Sequence, residues 1–116
     1  MKKISIRDMK ASHPEGTEGV DFRPLLAENV DAPHFYLRIF DIAPGGHTFD
    51  HSHPWEHEMY FVKGQGKAVL GSGEEKVVEG DAILIEPGER HMIVNDSAAL
   101  LRLVCVIPRP EPGRGQ

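Results

Sequence analysis

The chain has a single cysteine, Cys105, among its 116 residues. No internal disulfide can form, so the fold must rest on packing alone, and a reducing cytoplasm is the expected compartment. No apolar run is long enough to span a bilayer. The N-terminus, Met1-Lys2-Lys3-Ile4-Ser5-Ile6-Arg7-Asp8, lacks the apolar stretch of a signal peptide. No lysine or arginine run is present and the formal net charge is −5, which argues against nucleic acid as a partner. There is no cysteine pair for structural zinc and no nucleophile elbow. Gly64-x-Gly66 and Gly71-x-Gly73 precede no helical pattern, so neither is a phosphate loop. No internal repeat of solenoid or propeller period is visible. What remains is 40% hydrophobic residues, enough for one domain with one core.

Residues 1–33 are polar and weakly periodic, and are expected to form an N-terminal arm with one or two edge strands. From residue 34 short strand-like runs alternate with turn signals, the pattern of an all-β sandwich or barrel. Phe35 to Ile42 reads as a strand closed by the turn Pro44-Gly45-Gly46. Thr48 to His53 reads as a second and Met59 to Lys63 as a third. Lys67–Leu70 and Glu75–Val78 flank a hairpin loop, Gly71-Ser72-Gly73-Glu74. Ala82 to Glu86 and His91 to Val94 follow, separated by Pro87-Gly88. In the last strand, Leu100 to Ile107, Arg102 is expected to face outward, which turns Leu101, Leu103, Cys105 and Ile107 inward. The barrel is expected over residues 34–108 and a loose tail over 109–116.

The histidines carry the chemistry. His51 and His53, at i and i+2, share a face if their segment is a strand. His57 lies just past Pro54 and can swing back toward them. Three imidazoles within reach of one point make a divalent transition-metal site the leading reading, against a merely solvated, pH-sensitive loop. The same spacing admits a helix from Pro54 to Gly64, because His53 and His57 are also i and i+4. Tyr60-Phe61-Val62 and the β-rich surroundings favour a strand. A further ligand should come from a distant strand, and His91 is the best candidate. On local grounds alone it reads equally well as an ordinary turn histidine. His47 shares parity with His51 and His53 and is expected at the rim of a pocket. Phe49, Phe61, Leu103 and Cys105 are candidates for pocket or core walls. His13 and His34 have no partners in sequence and read as non-functional.

Gly45-x5-His51-x-His53-x4-Glu58 and Gly80-x7-Gly88-x2-His91-x3-Asn95 resemble the paired motifs of the cupin superfamily. The resemblance covers about residues 34–108. It implies a double-stranded β-helix, or jelly-roll barrel, with a metal held by residues from both motifs. His-Ser-His-Pro-Trp-Glu-His-Glu looks closer still to small single-domain cupins that hold manganese with four histidines. That implies His51, His53, His57 and His91 as ligands, with manganese expected and iron, zinc, nickel or copper as alternatives. Many cupins instead place a ligand glutamate at the position of Glu58. Neighbouring strand residues face opposite ways, so His57 and Glu58 cannot both point inward. A second departure is Pro87, which stands one residue later than the proline of many cupins, at the position of Glu86.

Four neutral imidazoles leave the full charge of a divalent ion uncompensated, and a six-coordinate ion would keep two positions open. The expectation is therefore a dioxygenase-type oxidoreductase acting on a small organic substrate with manganese or iron. A metal-dependent sugar or keto-acid isomerase is the second reading. It needs a base, which Glu58 would supply only by turning inward. The third is a non-catalytic metal or small-ligand module. The resemblance also implies a homodimer, formed through an edge strand or the arm.

Overall fold

The alternation of β-branched and aromatic residues with polar ones drives nearly every segment into extended chain. The computed structural model describes residues 1–111. Its strands are β1 (Glu18–Leu26), β2 (Phe35–His47), β3 (His57–Lys63), β4 (Gln65–Leu70), β5 (Gly73–Val78), β6 (Ala82–Ile85), β7 (His91–Val94) and β8 (Leu101–Pro108). Two short 3-10 turns, Ile6–Asp8 and Glu28–Val30, interrupt the N-terminal region. The strands form one sheet in the order β5-β4-β7-β2-β8-β3-β6, with β1 added to β2, and every pairing is antiparallel. The sheet curls on itself as a jelly-roll, with its apolar face enclosed. No described helix is long and apolar enough to cross a membrane.

The parity read from β8 holds. Leu101, Leu103, Cys105 and Ile107 are buried, while Arg102, Val104 and Val106 face outward and are half-buried. On that outer side Arg102 donates two hydrogen bonds to Asp41, Nε at 2.6 Å and Nη2 at 2.8 Å, clasping β8 to β2. The core gathers Ile42, Phe61, Ile93, Leu101, Leu103 and Ile107. Each such side chain contributes about 2 kcal/mol on burial. β4 and β5 meet in a two-residue turn, Gly71-Ser72, since Leu70 pairs with Gly73. Of the expected tail, Arg109 is held by a hydrogen bond from its backbone N to the His34 carbonyl, 2.9 Å, and residues 112–116 lie outside the described residues.

Two local expectations are corrected. β2 does not stop at Ile42: it runs through Pro44-Gly45-Gly46 to His47, and the extra residues are absorbed as an irregularity opposite Glu18 and Val20. Gly46 allows this close approach, because a Cβ there would run into the Glu18 carbonyl. Thr48 to His53 is not a regular strand. It is extended chain laced to the segment containing β7: Thr48 N to the Ile93 carbonyl at 2.9 Å, His51 N to the His91 carbonyl at 3.2 Å, and His91 N to the His51 carbonyl at 2.9 Å. Gly88, with φ +80°, then donates its N–H to the His53 carbonyl at 2.6 Å. The turn with Pro87 one residue late thus ties the second motif directly to the first. The helix considered from Pro54 to Gly64 is absent, and residues 57–63 are β3.

Candidate metal centre

The lacing of residues 45–53 along 88–95 sets His51 directly opposite His91. His53 follows two residues on, and its ring stacks on Trp55, 4.5 Å between centroids and 3° between planes. His57 opens β3, where Pro54 and Trp55 have turned the chain back toward the cluster. Ring centroids lie 3.9 Å apart for His51–His53, 4.8 Å for His51–His91, 4.8 Å for His57–His91 and 4.9 Å for His53–His57. The ligand atoms of His51, His53 and His91 all lie within 4.8 Å of one another. His51 Nε2 and His53 Nε2 are 3.0 Å apart. Two nitrogens bound at right angles to one ion, each about 2.1 Å from it, are separated by roughly 3 Å.

The other nitrogens of two rings are committed. His91 Nδ1 donates to the Glu89 carbonyl at 2.9 Å, and His57 Nδ1 lies 3.2 Å from Cys105 Sγ. The carbonyl fixes the tautomer of His91 and leaves its Nε2 with a lone pair, while the thiol sets the orientation of the His57 ring. Both Nε2 atoms are buried with no hydrogen-bond partner. A buried polar atom without a partner is costly, and two in one cluster fit a group that accepts lone pairs. Burial pushes the imidazoles well below their usual range: His51 and His53 to about 4, His57 to about 2, and His91 downward. After burial, neighbouring histidines and the Arg38 guanidinium disfavour protonation of His51, His53 and His57. The cluster is therefore neutral at physiological pH, the form that binds metal.

Glu58 is exposed on the outer face of β3, so its alternative role as an inward ligand or base is corrected. Alternation along β3 decides this: His57, Met59 and Phe61 are buried, while Glu58, Tyr60 and Val62 are exposed. Of the expected pocket residues, Phe49, Leu103 and Cys105 line a cavity of about 290 Å³ together with His51, His57 and His91. Phe49 also stacks on His51, 5.1 Å between centroids. Phe61 belongs to the core instead of the cavity wall. His47 is also outside that wall, and its Nδ1 bonds to the Thr48 carbonyl at 2.8 Å.

Several lining residues had not been expected: Arg38, Phe40, Phe22, Met59, Thr48, and Ser12, His13 and Pro14 of the arm. Arg38 had a readable signal, since it shares parity with the buried Tyr36, Phe40 and Ile42. Its guanidinium lies over the rings of Phe40 and Phe22, 5.4 and 5.8 Å from the centroids, and Nη2 donates to Cys105 Sγ at 3.2 Å. Burial pushes the Cys105 thiol up, against the opposing pull of Arg38. The arm residues gave no local signal: Ser12 reaches the cavity by exchanging backbone hydrogen bonds with Phe22 of β1, 3.0 and 2.9 Å.

The architecture has counterparts among known proteins. The tetracenomycin polyketide synthase protein TcmJ of Streptomyces glaucescens is 32% identical over 96% of this chain and 76% of its own length. The polyketide cyclase RemF of Streptomyces resistomycificus superposes with a TM-score of 0.88 at 33% identity, over 99% of this chain and 84% of that one. A predicted oxalate decarboxylase of Thermotoga maritima shares the fold alone, with a TM-score of 0.82 at 20% identity, over 94% of this chain and 100% of that one. Residues 38–107, from Arg38 to Ile107, match the Cupin_2 family model, the cupin domain, and the chain belongs to the cupin superfamily.

Proposed function

We propose that this cupin is a metal-dependent enzyme that closes rings in a small, carbonyl-rich, polyketide-like substrate. The observation that carries the reading is an apolar cavity of about 290 Å³ with imidazoles at its buried end. Pockets of this kind suit a flat organic molecule oriented by a few polar groups. The similarity to a polyketide synthase protein and a polyketide cyclase supplies the substrate class. His51, His53, His57 and His91 would hold the ion. A divalent ion there supplies Lewis acidity toward carbonyl and enol oxygens. Manganese is the ion the four-histidine resemblance implies, whereas the affinity order runs toward nickel, copper and zinc.

The chain's own side chains have distinct tasks. Phe22, Phe40, Phe49, Met59 and Leu103 clasp the apolar body of the substrate and exclude water. Arg38, buried in the same wall, favours negative charge developing on a substrate oxygen. The Glu89 carbonyl holds the ring of His91 in the required tautomer, and Cys105 orients the ring of His57. The isomerase reading loses its base with Glu58 turned outward. The dioxygenase-type reading retains one specific support, namely that four neutral ligands would leave two positions open on a six-coordinate ion.

Elemental analysis of protein purified without added metal is expected to give one divalent transition metal per chain. Loaded protein is then incubated with phenylhexanetrione, a phenyl-capped linear triketone. The expected product is phenylresorcinol plus one equivalent of water, without oxygen consumption. Oxygen uptake with the same probe would replace the cyclase with the oxidoreductase. Metal binding with neither product nor oxygen uptake would leave the binding-module reading.

A further inference from the structure

Resting on the cyclase reading, we propose that His13, oriented by Asp21, is the general base at the cavity mouth. His13 belongs to the N-terminal arm, and its side chain is 75% exposed, yet it lines the same cavity as His51, His57 and His91. It lies far from those ligands in sequence and reaches the mouth through the bridge between Ser12 and Phe22. Its Nδ1 lies 3.1 Å from the Val20 carbonyl and 3.2 Å from Asp21 Oδ1. Both are acceptors, so Nδ1 carries the proton and Nε2 keeps its lone pair. A carboxylate behind an imidazole fixes the tautomer and stabilises the imidazolium that forms on proton uptake. A ligand anchored by its oxygens at the buried end would extend toward the mouth, where a base must act on carbon.

With the phenyl-capped triketone the step balances as follows. His13 Nε2 takes a proton from the terminal methyl carbon, and the released electron pair forms a bond to the carbonyl carbon beside the phenyl ring. That carbonyl oxygen takes the proton back from His13. Loss of this oxygen as water, with a proton from the adjacent carbon, and enolisation of the two remaining ketones give the phenol. No oxidant or reductant is required. The groups that face His13 are Asp21 of β1, Asp41 of β2 across a shared hollow, and Arg38, His51, His57 and His91 around the cavity. Asp41 is occupied by Arg102 and Arg23.

The test uses metal-loaded full-length protein and the same triketone. His13→Gln is expected to lower kcat about 100-fold, the lower end of general-base effects, with metal content and KM unchanged. The limb on which the rate rises with pH should flatten in that variant. Asp21→Asn should lower kcat by a smaller factor. In the nitrogen NMR spectrum it should reduce the share of His13 protonated at Nδ1, a signature that an arm with only a structural role would not couple to rate. A His13→Gln enzyme with kcat within threefold of wild type and an unaltered pH limb would overturn this inference and leave the cyclase reading standing. A loaded wild-type enzyme that never cyclises the triketone would overturn both.

Discussion

At the buried end of the cavity, His57 and His91 are 4% and 2% exposed, and each has one ring nitrogen held by a neighbour and one left over. At the mouth, the side chain of His13 is 75% exposed and tied through one nitrogen to Asp21 and the Val20 carbonyl. The same side chain thus meets two environments a cavity's length apart. At the buried end, desolvation and neighbouring positive charge keep imidazole neutral and make it a standing lone-pair donor. At the mouth, water and a carboxylate can accommodate a ring that gains and loses a proton. On the proposed reading, one fold would hold a cation and move a proton with one residue type, because the strands decide which copies are dry.

The largest expected effect separates the two ends. His91→Ala removes a ring whose backbone is laced to His51, so the barrel persists while the cluster loses a donor. Metal affinity should fall by more than the roughly 10- to 100-fold that follows loss of a partner behind a ligand. Elemental analysis after dialysis and circular dichroism read the two outcomes separately. A variant that keeps full occupancy would remove His91 from the site and with it the contrast between a dry donor end and a wet mouth.

A smaller effect concerns acid. In the metal-free protein His51 and His53 are held at about 4 and His57 at about 2, against about 6.5 in the unfolded chain. The unfolded chain binds these protons first, so the stabilising difference is complete above pH 6.5. It is lost progressively as pH falls through the window toward 4, with His57 extending it toward 2. Urea midpoints of metal-free protein should therefore drop steadily between pH 7 and 5. Saturating metal should shift the acid transition downward, since the ion competes with protons for the same lone pairs. A flat midpoint across that window would mean that the buried end is as wet as the mouth.

The division between what the chain announced and what it concealed follows contact range. Alternation in β8 is a local property, and it correctly turned Leu103 and Cys105 inward. The histidine spacing and the paired glycine-histidine motifs marked the buried end before any fold was known. The mouth was illegible because it is made by pairing across the chain: Ser12 with Phe22, and β1 with β2. Nothing around His13 in sequence shows that its ring will face a cavity. β2 misled for another reason: Pro44-Gly45-Gly46 is turn chemistry, yet hydrogen bonds between Gly45–Gly46 and Asn95 hold the segment extended. The His57–Glu58 conflict was a matter of parity, and parity needed an origin. The pairing of β3 with β8 provides it, placing Met59 opposite Cys105 on the inner face.

The smallest expected effect tests that parity. Glu58 is exposed beside Tyr60 and shares an outer hollow with Leu84 and Val106. Glu58→Gln removes a charge that water already solvates, so metal content and thermal midpoint should both match wild type. A carboxylate ligand replaced by an amide would lose its charge toward the ion, and occupancy would fall together with thermal protection by metal. A null result carries weight because the same strand supplies the contrast. His57→Gln, one residue earlier, should lose metal, since its ring faces the cluster and is held by Cys105. Equal loss in both variants would mean that β3 has no fixed parity at its start, and the four-imidazole arrangement would give way to three imidazoles and a carboxylate.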